Sequence, residues 1–221
     1  MSSERWFDDD SAGFYVDAPS AARRPRGQDE DDEETKTRGE LAKLSLELLK
    51  NQRTVLISEP VTPKLTERVT TQLLWLNSQN QDPIKLFLNT PGGSADDGFA
   101  IHDMIRFIDT PVINICAGLN ASAGTIILLA SPSERRLSLP NARIMIHQPS
   151  GGARGRASDI EITAEEIIKL RQRANELFAR ECGQPLEQVE KDMDRDHWMS
   201  PDQAKDYGLI SKIITSLKEI Q

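Results

Sequence analysis

A chain of 221 residues with a net charge of −8 and a pI near 5.0 has room for one domain of roughly 150–200 residues plus an extension. The acidic balance, without a basic stripe interleaved with aromatics, argues against nucleic acid. No apolar run is long enough to span a bilayer, Met1–Asp10 lacks the apolar stretch of a signal peptide, and two cysteines, Cys116 and Cys182, fit buried thiols in a reducing cytoplasm.

Residues 1–40 hold twelve acidic and six basic side chains and few aliphatic ones. The run Asp29-Glu30-Asp31-Asp32-Glu33-Glu34 repels itself, and Pro19 and Pro25 interrupt any helix. The first 40 residues are therefore expected to form an acidic extension, disordered or removed by processing, and residues 41–221 the folded domain. From Glu40, the residues Leu41, Leu44, Leu46, Leu48 and Leu49 predict a helix to about Asn51. Thr54–Ser58 reads as a short strand. Leu65, Val69, Leu73, Leu74 and Leu76 predict a helix over 62–79. A second strand, Ile84–Asn89, ends in the breaker Thr90-Pro91-Gly92-Gly93. A helix carrying Phe99, Ile101, Met104, Ile105 and Ile108 follows, then a strand over Val112–Cys116 and a buried helix over Thr125–Ala130. Arg135–Ser138 and Arg143–Ile146 read as two more strands. After the glycine-rich stretch Ser150–Arg156 comes a helix from about Ser158 to Arg180. Ile160, Ala164, Ile167, Ala174 and Phe178 recur on one of its faces. At about 35 Å it can project beyond a small domain, as an oligomerisation element does. Strands alternating with helices imply an α/β domain with parallel pairing.

Three segments carry candidate chemistry. Ser122 lies in Gly118-Leu119-Asn120-Ala121-Ser122-Ala123-Gly124. A serine before an apolar helix is commonly an N-cap, but small neighbours leave room for a ligand, and free N–H groups at a helix start can stabilise an oxyanion. His147 ends an apolar strand and is the leading candidate base among three histidines. Asp196 sits among Glu190, Asp192 and Asp194, and Trp198 and Met199 after it predict partial burial. Thr90-Pro91-Gly92-Gly93 has no Walker lysine after it. Its turn exposes backbone N–H groups of the kind an oxyanion hole needs.

Taken together, Leu88–Gly93, Ala121–Gly124, Leu139–Pro149, Ala157–Ile162, Asp194–Asp196 and Ala204–Ile210 resemble the proteolytic subunits of the Clp protease family (ClpP), serine peptidases of the crotonase-like superfamily. The likeness covers about residues 45–217. It implies an α/β fold of repeated β-β-α units with a projecting handle helix. It also implies a serine endopeptidase with Ser122 as nucleophile, His147 as base and then acid, and Asp196 orienting the imidazole. Backbone N–H groups of Gly93 and Ala123 would form the oxyanion hole. Ser94, Ala95, Pro149, Ser150 and Gly151 would bind an extended peptide by strand addition. The family assembles as two stacked seven-membered rings around a chamber and is fed by a Clp-type AAA+ unfoldase. Asp194 and Arg195 resemble its inter-ring contact. No cofactor or metal is implied in the chain itself, and neither nucleic acid nor membrane is an expected partner. The sequence departs from the family in four places. Leu119 and Asn120 stand in the approach to the serine, where glycine-glutamine-alanine is usual. Ala123 stands where a methionine is usual, which predicts a roomier adjacent pocket. Lys85 replaces an aromatic of the unfoldase-docking cleft, while Phe87 keeps that pattern. The N-terminus is a long acidic segment rather than a pore-lining hairpin. The alternative is a structural or weakly active paralogous subunit of a mixed ring.

Overall fold

The structure, a computed structural model, describes residues 28–220. The chain divides into two units, Met1–Ala42 and Lys43–Gln221. Helix α1 runs Gln28–Gln52, so it starts well before the leucine pattern and takes in the acidic run. Glutamates are good helix formers, and negative charge is favoured near a helix N-terminus. The remainder of the expected extension, residues 1–27, lies outside the described residues. Of the predicted leucine face, Leu49 is buried, whereas Leu44 and Leu46 are exposed.

The second unit alternates strand and helix. β1 (Thr54–Ile57) leads to α2 (Pro63–Gln79), which starts at proline after an N-cap in which Thr62 accepts from the Leu65 N–H. β2 (Ile84–Thr90) leads through Pro-Gly-Gly to α3 (Ala95–Phe107), and β3 (Val112–Ala121) leads to α4 (Ala123–Leu128). β4 (Arg136–Ser138) and β5 (Arg143–Ile146) follow in succession, then α5 (Ala157–Cys182) and α6 (Leu186–Asp192). β6 (His197–Met199), α7 (Pro201–Tyr207) and β7 (Lys212–Ile213) complete the unit.

The sheet order is β1-β2-β3-β4-β7, with β5 paired to β3 and β6 paired to β5. All pairings are parallel except β5–β6. The antiparallel β6 has no counterpart among the predicted strands. Side chains alternate across the sheet. Ile84, Leu86 and Leu88 enter the main core with Leu65, Leu73, Ile101 and Ile127. The intervening Phe87 packs in a smaller cluster with Ile113, Ile115, Leu137 and Ile214.

β3 is twice as long as its apolar run predicts. It bends at Gly118, whose φ is 84°, and continues to Ala121. Its first half pairs with β4, Asn114 opposite Arg136, and its second half pairs with β5, Ala121 opposite Met145. The helix expected over 125–130 accordingly begins at Ala123. In α5, only the end carrying Ala174, Leu177 and Phe178 enters the core. Ile160, on the predicted apolar face, is exposed, as are Ile162 and Ile168. Among the described residues, no helix is long and apolar enough to cross a membrane.

Candidate active site

Two registers bring the candidate residues together. Parallel pairing of Ala121 with Met145, extended by the Ser122 N–H donating to the Met145 carbonyl at 3.0 Å, carries Ser122 alongside the end of β5. Antiparallel pairing of Ile146 with His197 then sets the next residue of each strand, His147 and Asp196, opposite one another. Ser122 Oγ lies 2.8 Å from His147 Nε2, and Asp196 Oδ1 lies 2.9 Å from His147 Nδ1. An ionised carboxylate only accepts, so Nδ1 carries the proton and donates to Asp196, leaving Nε2 to accept from the serine hydroxyl.

Ser122 occupies the N-cap position of α4, but its side chain makes no capping bond. The hydroxyl is turned to His147 instead. Its backbone has φ 55° and ψ −123°, a region that costs a non-glycine residue about 1–3 kcal/mol. The Thr125 hydroxyl and N–H both donate to the Ser122 carbonyl, at 2.6 and 2.9 Å, and hold this conformation. The His147 side chain is 23% exposed and that of Asp196 59% exposed. The burial expected of Asp196 is thus corrected within this chain. Met199 is buried, but the half-exposed Trp198 turns outward, its ring 4.3 Å from the Arg143 guanidinium.

The Pro-Gly-Gly turn packs against the serine. Gly92 and Gly93 have φ of 92° and 149°. A Cβ on Gly92 would meet the Ala123 nitrogen at 3.1 Å, so the turn abuts the start of α4. The Ala123 N–H has no intrahelical acceptor at this first position. The turn is anchored through the Val61 N–H to the Gly92 carbonyl at 2.8 Å, and through the Ser94 N–H to the Val61 carbonyl at 3.0 Å. The Gly93 N–H takes no part in those two bonds. Gly124 is small for a different reason than ligand access: a Cβ there would collide with Asn120 Oδ1 and lie 2.6 Å from Thr90 Cγ2.

Of the other predicted site residues, Ala95 and Pro149 line a small cavity beside Ser122 and His147. Ser94 caps α3, its Oγ accepting from the Asp97 N–H at 3.2 Å. Ser150 and Gly151 are exposed in an irregular segment. The cavity is about 20 Å³. Ile126, Ala174, Phe178 and Met193 form its apolar wall. Sequence reasoning missed these four as site residues, because helical periodicity marks a wall residue and a core residue alike. A larger cavity of about 590 Å³ lies elsewhere, between the end of α3 and the 131–136 segment, and none of the three site residues lines it.

Asp194 and Arg195 sit on the turn before β6. The Arg195 side chain is 93% exposed, with Nε 3.8 Å from Asp194 Oδ2. Burial pushes the free thiols Cys116 and Cys182 up to about 12, which keeps them protonated and unreactive. Among the described residues, no group of three or more His, Cys, Asp or Glu side chains is arranged to hold a metal ion.

Comparison with known proteins gives a consistent result. The family model described as Clp protease matches residues 37–217. The ATP-dependent Clp protease proteolytic subunit 3 of Rhizobium meliloti (strain 1021) is 47% identical over 192 residues, 87% of this chain and 98% of that protein. Subunit 2 of Gluconobacter oxydans (strain 621H) is 48% identical over 173 residues, 77% of this chain and 78% of that protein. A solved structure of a ClpP1 mutant from Listeria monocytogenes superposes with a TM-score of 0.74 at 46% identity, covering 80% of this chain and 99% of that one.

Proposed function

Because the chain belongs to the Clp protease family and is a serine-type proteolytic subunit, we propose that Ser122, His147 and Asp196 are its catalytic triad. The observation that carries this is the hydrogen-bonded line from Ser122 Oγ through the imidazole to Asp196 Oδ1. In the reaction, His147 Nε2 takes the serine proton as Oγ attacks the peptide carbonyl, and Asp196 holds the imidazolium that forms. The N–H groups of Gly93 and Ala123 receive the oxyanion. His147 then returns the proton to the leaving amine, and a water repeats the sequence to free the acyl group from Ser122. No cofactor enters any step. An extended unfolded chain lies along Ser94, Ala95 and Pro149–Gly151, with a small aliphatic side chain in the cavity walled by Ile126, Phe178 and Met193.

The family relationship supports a subunit that assembles into rings and works with a Clp unfoldase. The finer arrangement in this reading is two stacked heptameric rings in the cytoplasm. The exposed apolar residues of α5 and the pair Asp194 and Arg195 meet between the rings, and an AAA+ unfoldase supplies the ATP-driven step. Lys85 gives its docking cleft a positive rim beside Phe87.

The test is hydrolysis of a short fluorogenic peptide by the purified particle, with and without a serine-directed fluorophosphonate. Ser122→Ala is expected to lower kcat by roughly 10⁴-fold or more and to abolish labelling. Unchanged hydrolysis in Ser122→Ala would overturn the triad, and a wild-type particle that neither hydrolyses the peptide nor takes the label would point to the paralogous structural subunit of a mixed ring. A species that never exceeds the monomer mass would overturn the chamber.

A further inference from the structure

Asp196 is the most exposed member of the triad, and among the described residues its only hydrogen bond is to His147. It lies past the end of the β5–β6 ladder, whose last pair is Ile146 with His197. Something beyond the ladder must stop the two strand ends from splaying. Gln148 does this. Its backbone N–H donates to the Met193 carbonyl. Its side-chain Nε2 donates to the Asp194 carbonyl at 2.7 Å and to Asp194 Oδ1 at 3.2 Å. The residue after the base thus grips the turn that leads into the acid. The contact between His147 and Asp196 is bracketed by the Ile146–His197 pair on one side and by Gln148 with Asp194 on the other.

We propose that Gln148 is a positioning residue for the triad, and that its amide donor fixes the Met193–Asp196 turn so that the Asp196 carboxylate stays in reach of His147 Nδ1. The inference rests on the triad assignment above. The charged groups at the same turn are Arg171, whose Nη2 is 3.6 Å from Asp194 Oδ1, and Arg195 at 3.8 Å from Oδ2. Both are long, solvated contacts of the class that contributes little, whereas the 2.7 Å amide bond is short and directional. Donation, rather than packing, is therefore the property that matters at position 148.

Three substitutions in the full-length assembled protein separate the two. Gln148→Met keeps the length and removes the donor. Gln148→Glu keeps the shape and sets a carboxylate against the Asp194 carbonyl and carboxylate. Gln148→Lys changes the shape but restores a donor. Gln148→Met and Gln148→Glu are expected to lose roughly 10- to 100-fold in kcat, the scale of a misplacement of about 1 Å, with KM within about twofold. Gln148→Lys is expected to keep a third or more of kcat. The rate of fluorophosphonate labelling should follow the same order, and particle size and Tm are measured beside it to score only assembled protein. Full kcat in assembled Gln148→Met, or Gln148→Lys less active than Gln148→Met, overturns the proposal. With Ser122→Ala inactive in the same assay, that result leaves the triad standing. Activity in Ser122→Ala would fell the triad assignment instead.

Discussion

Gly92 touches Ser122: a methyl group on the Gly92 Cα would lie 2.5 Å from the serine Cβ and 2.7 Å from the Ala121 carbonyl oxygen. The pairing of β2 with β3, Thr90 opposite Asn120, delivers both residues to this contact. Neither side can yield easily. The φ of Gly92 is 92°, where only glycine is comfortable. Ser122 is itself held at φ 55° by the Thr125 bonds.

Gly92→Ala is accordingly expected to damage catalysis more than folding. Relief of the clash must shift the peptide that joins Gly92 to Gly93, and with it the Gly93 N–H. Loss of one oxyanion donor is worth about 3–4 kcal/mol of transition-state stabilisation. The expected outcome is a kcat lower by roughly 10²- to 10³-fold in a particle of unchanged size, measured on a short fluorogenic peptide. Wild-type kcat in Gly92→Ala would show that the turn does not serve the oxyanion.

Asn114 supports α4, the helix that follows Ser122. It is fully buried on β3, and its Nδ2 donates to the carbonyls of Ile127 and Leu128, both at 3.0 Å. These are among the last carbonyls of α4, which a six-residue helix leaves without intrahelical partners. Asn114→Ala should lower stability by about 1–3 kcal/mol, since the buried Leu128 carbonyl loses its donor while the Ile127 carbonyl keeps the Ala130 N–H at 3.2 Å. Asn114→Asp should be worse, because it aims a carboxylate at the same oxygens. Urea midpoints at fixed protein concentration rank the three. Equal midpoints for Asn and Ala would mean that α4 is held by packing alone.

His102 makes stability depend on pH. It is buried on α3 with Nε2 unpartnered, while Nδ1 meets Asp103 Oδ1 at 2.9 Å. Burial is the largest influence and lowers its proton affinity, the Asp103 hydrogen bond raises it, and Arg106 lowers it, for a net downward shift. With the folded value below the unfolded one of about 6.5, the unfolded chain binds the proton first. The contribution is complete above that value and is lost as pH falls through the folded one. His102→Leu removes this titration. Between pH 7.5 and 5.5 its Tm should fall less than that of the wild type. Parallel Tm curves would show that another group governs the acid limb.

Much of the fold was legible in the chain because period and punctuation are local. Leu65, Val69, Leu73 and Leu76 recur at helical spacing and are all buried on α2. The Pro-Gly-Gly breaker ends β2 within a residue of its predicted limit. Longer-range features were not legible. Asn120 and Ala121 lie on β3 although Gly118 interrupts the apolar run, because pairing with β5 outweighs local propensity. Residues 29–34, assigned to the extension, lie in α1.

The site divides in the same way. By itself the sequence determined which residues are chemically capable: a serine among small neighbours, a histidine at a strand end, an aspartate 49 positions later and a glycine turn. Only the tertiary structure brings them together. The parallel register of β3 with β5 sets Ser122 beside His147, and the antiparallel register of β5 with β6 sets Asp196 opposite it. A one-residue slip in either would turn a side chain to the other face of the sheet. The grip of Gln148 on Asp194 and the apolar wall of Ile126, Phe178 and Met193 were likewise decided there. Hydrogen bonds and cavities join residues far apart in the chain, and no local period encodes such distances.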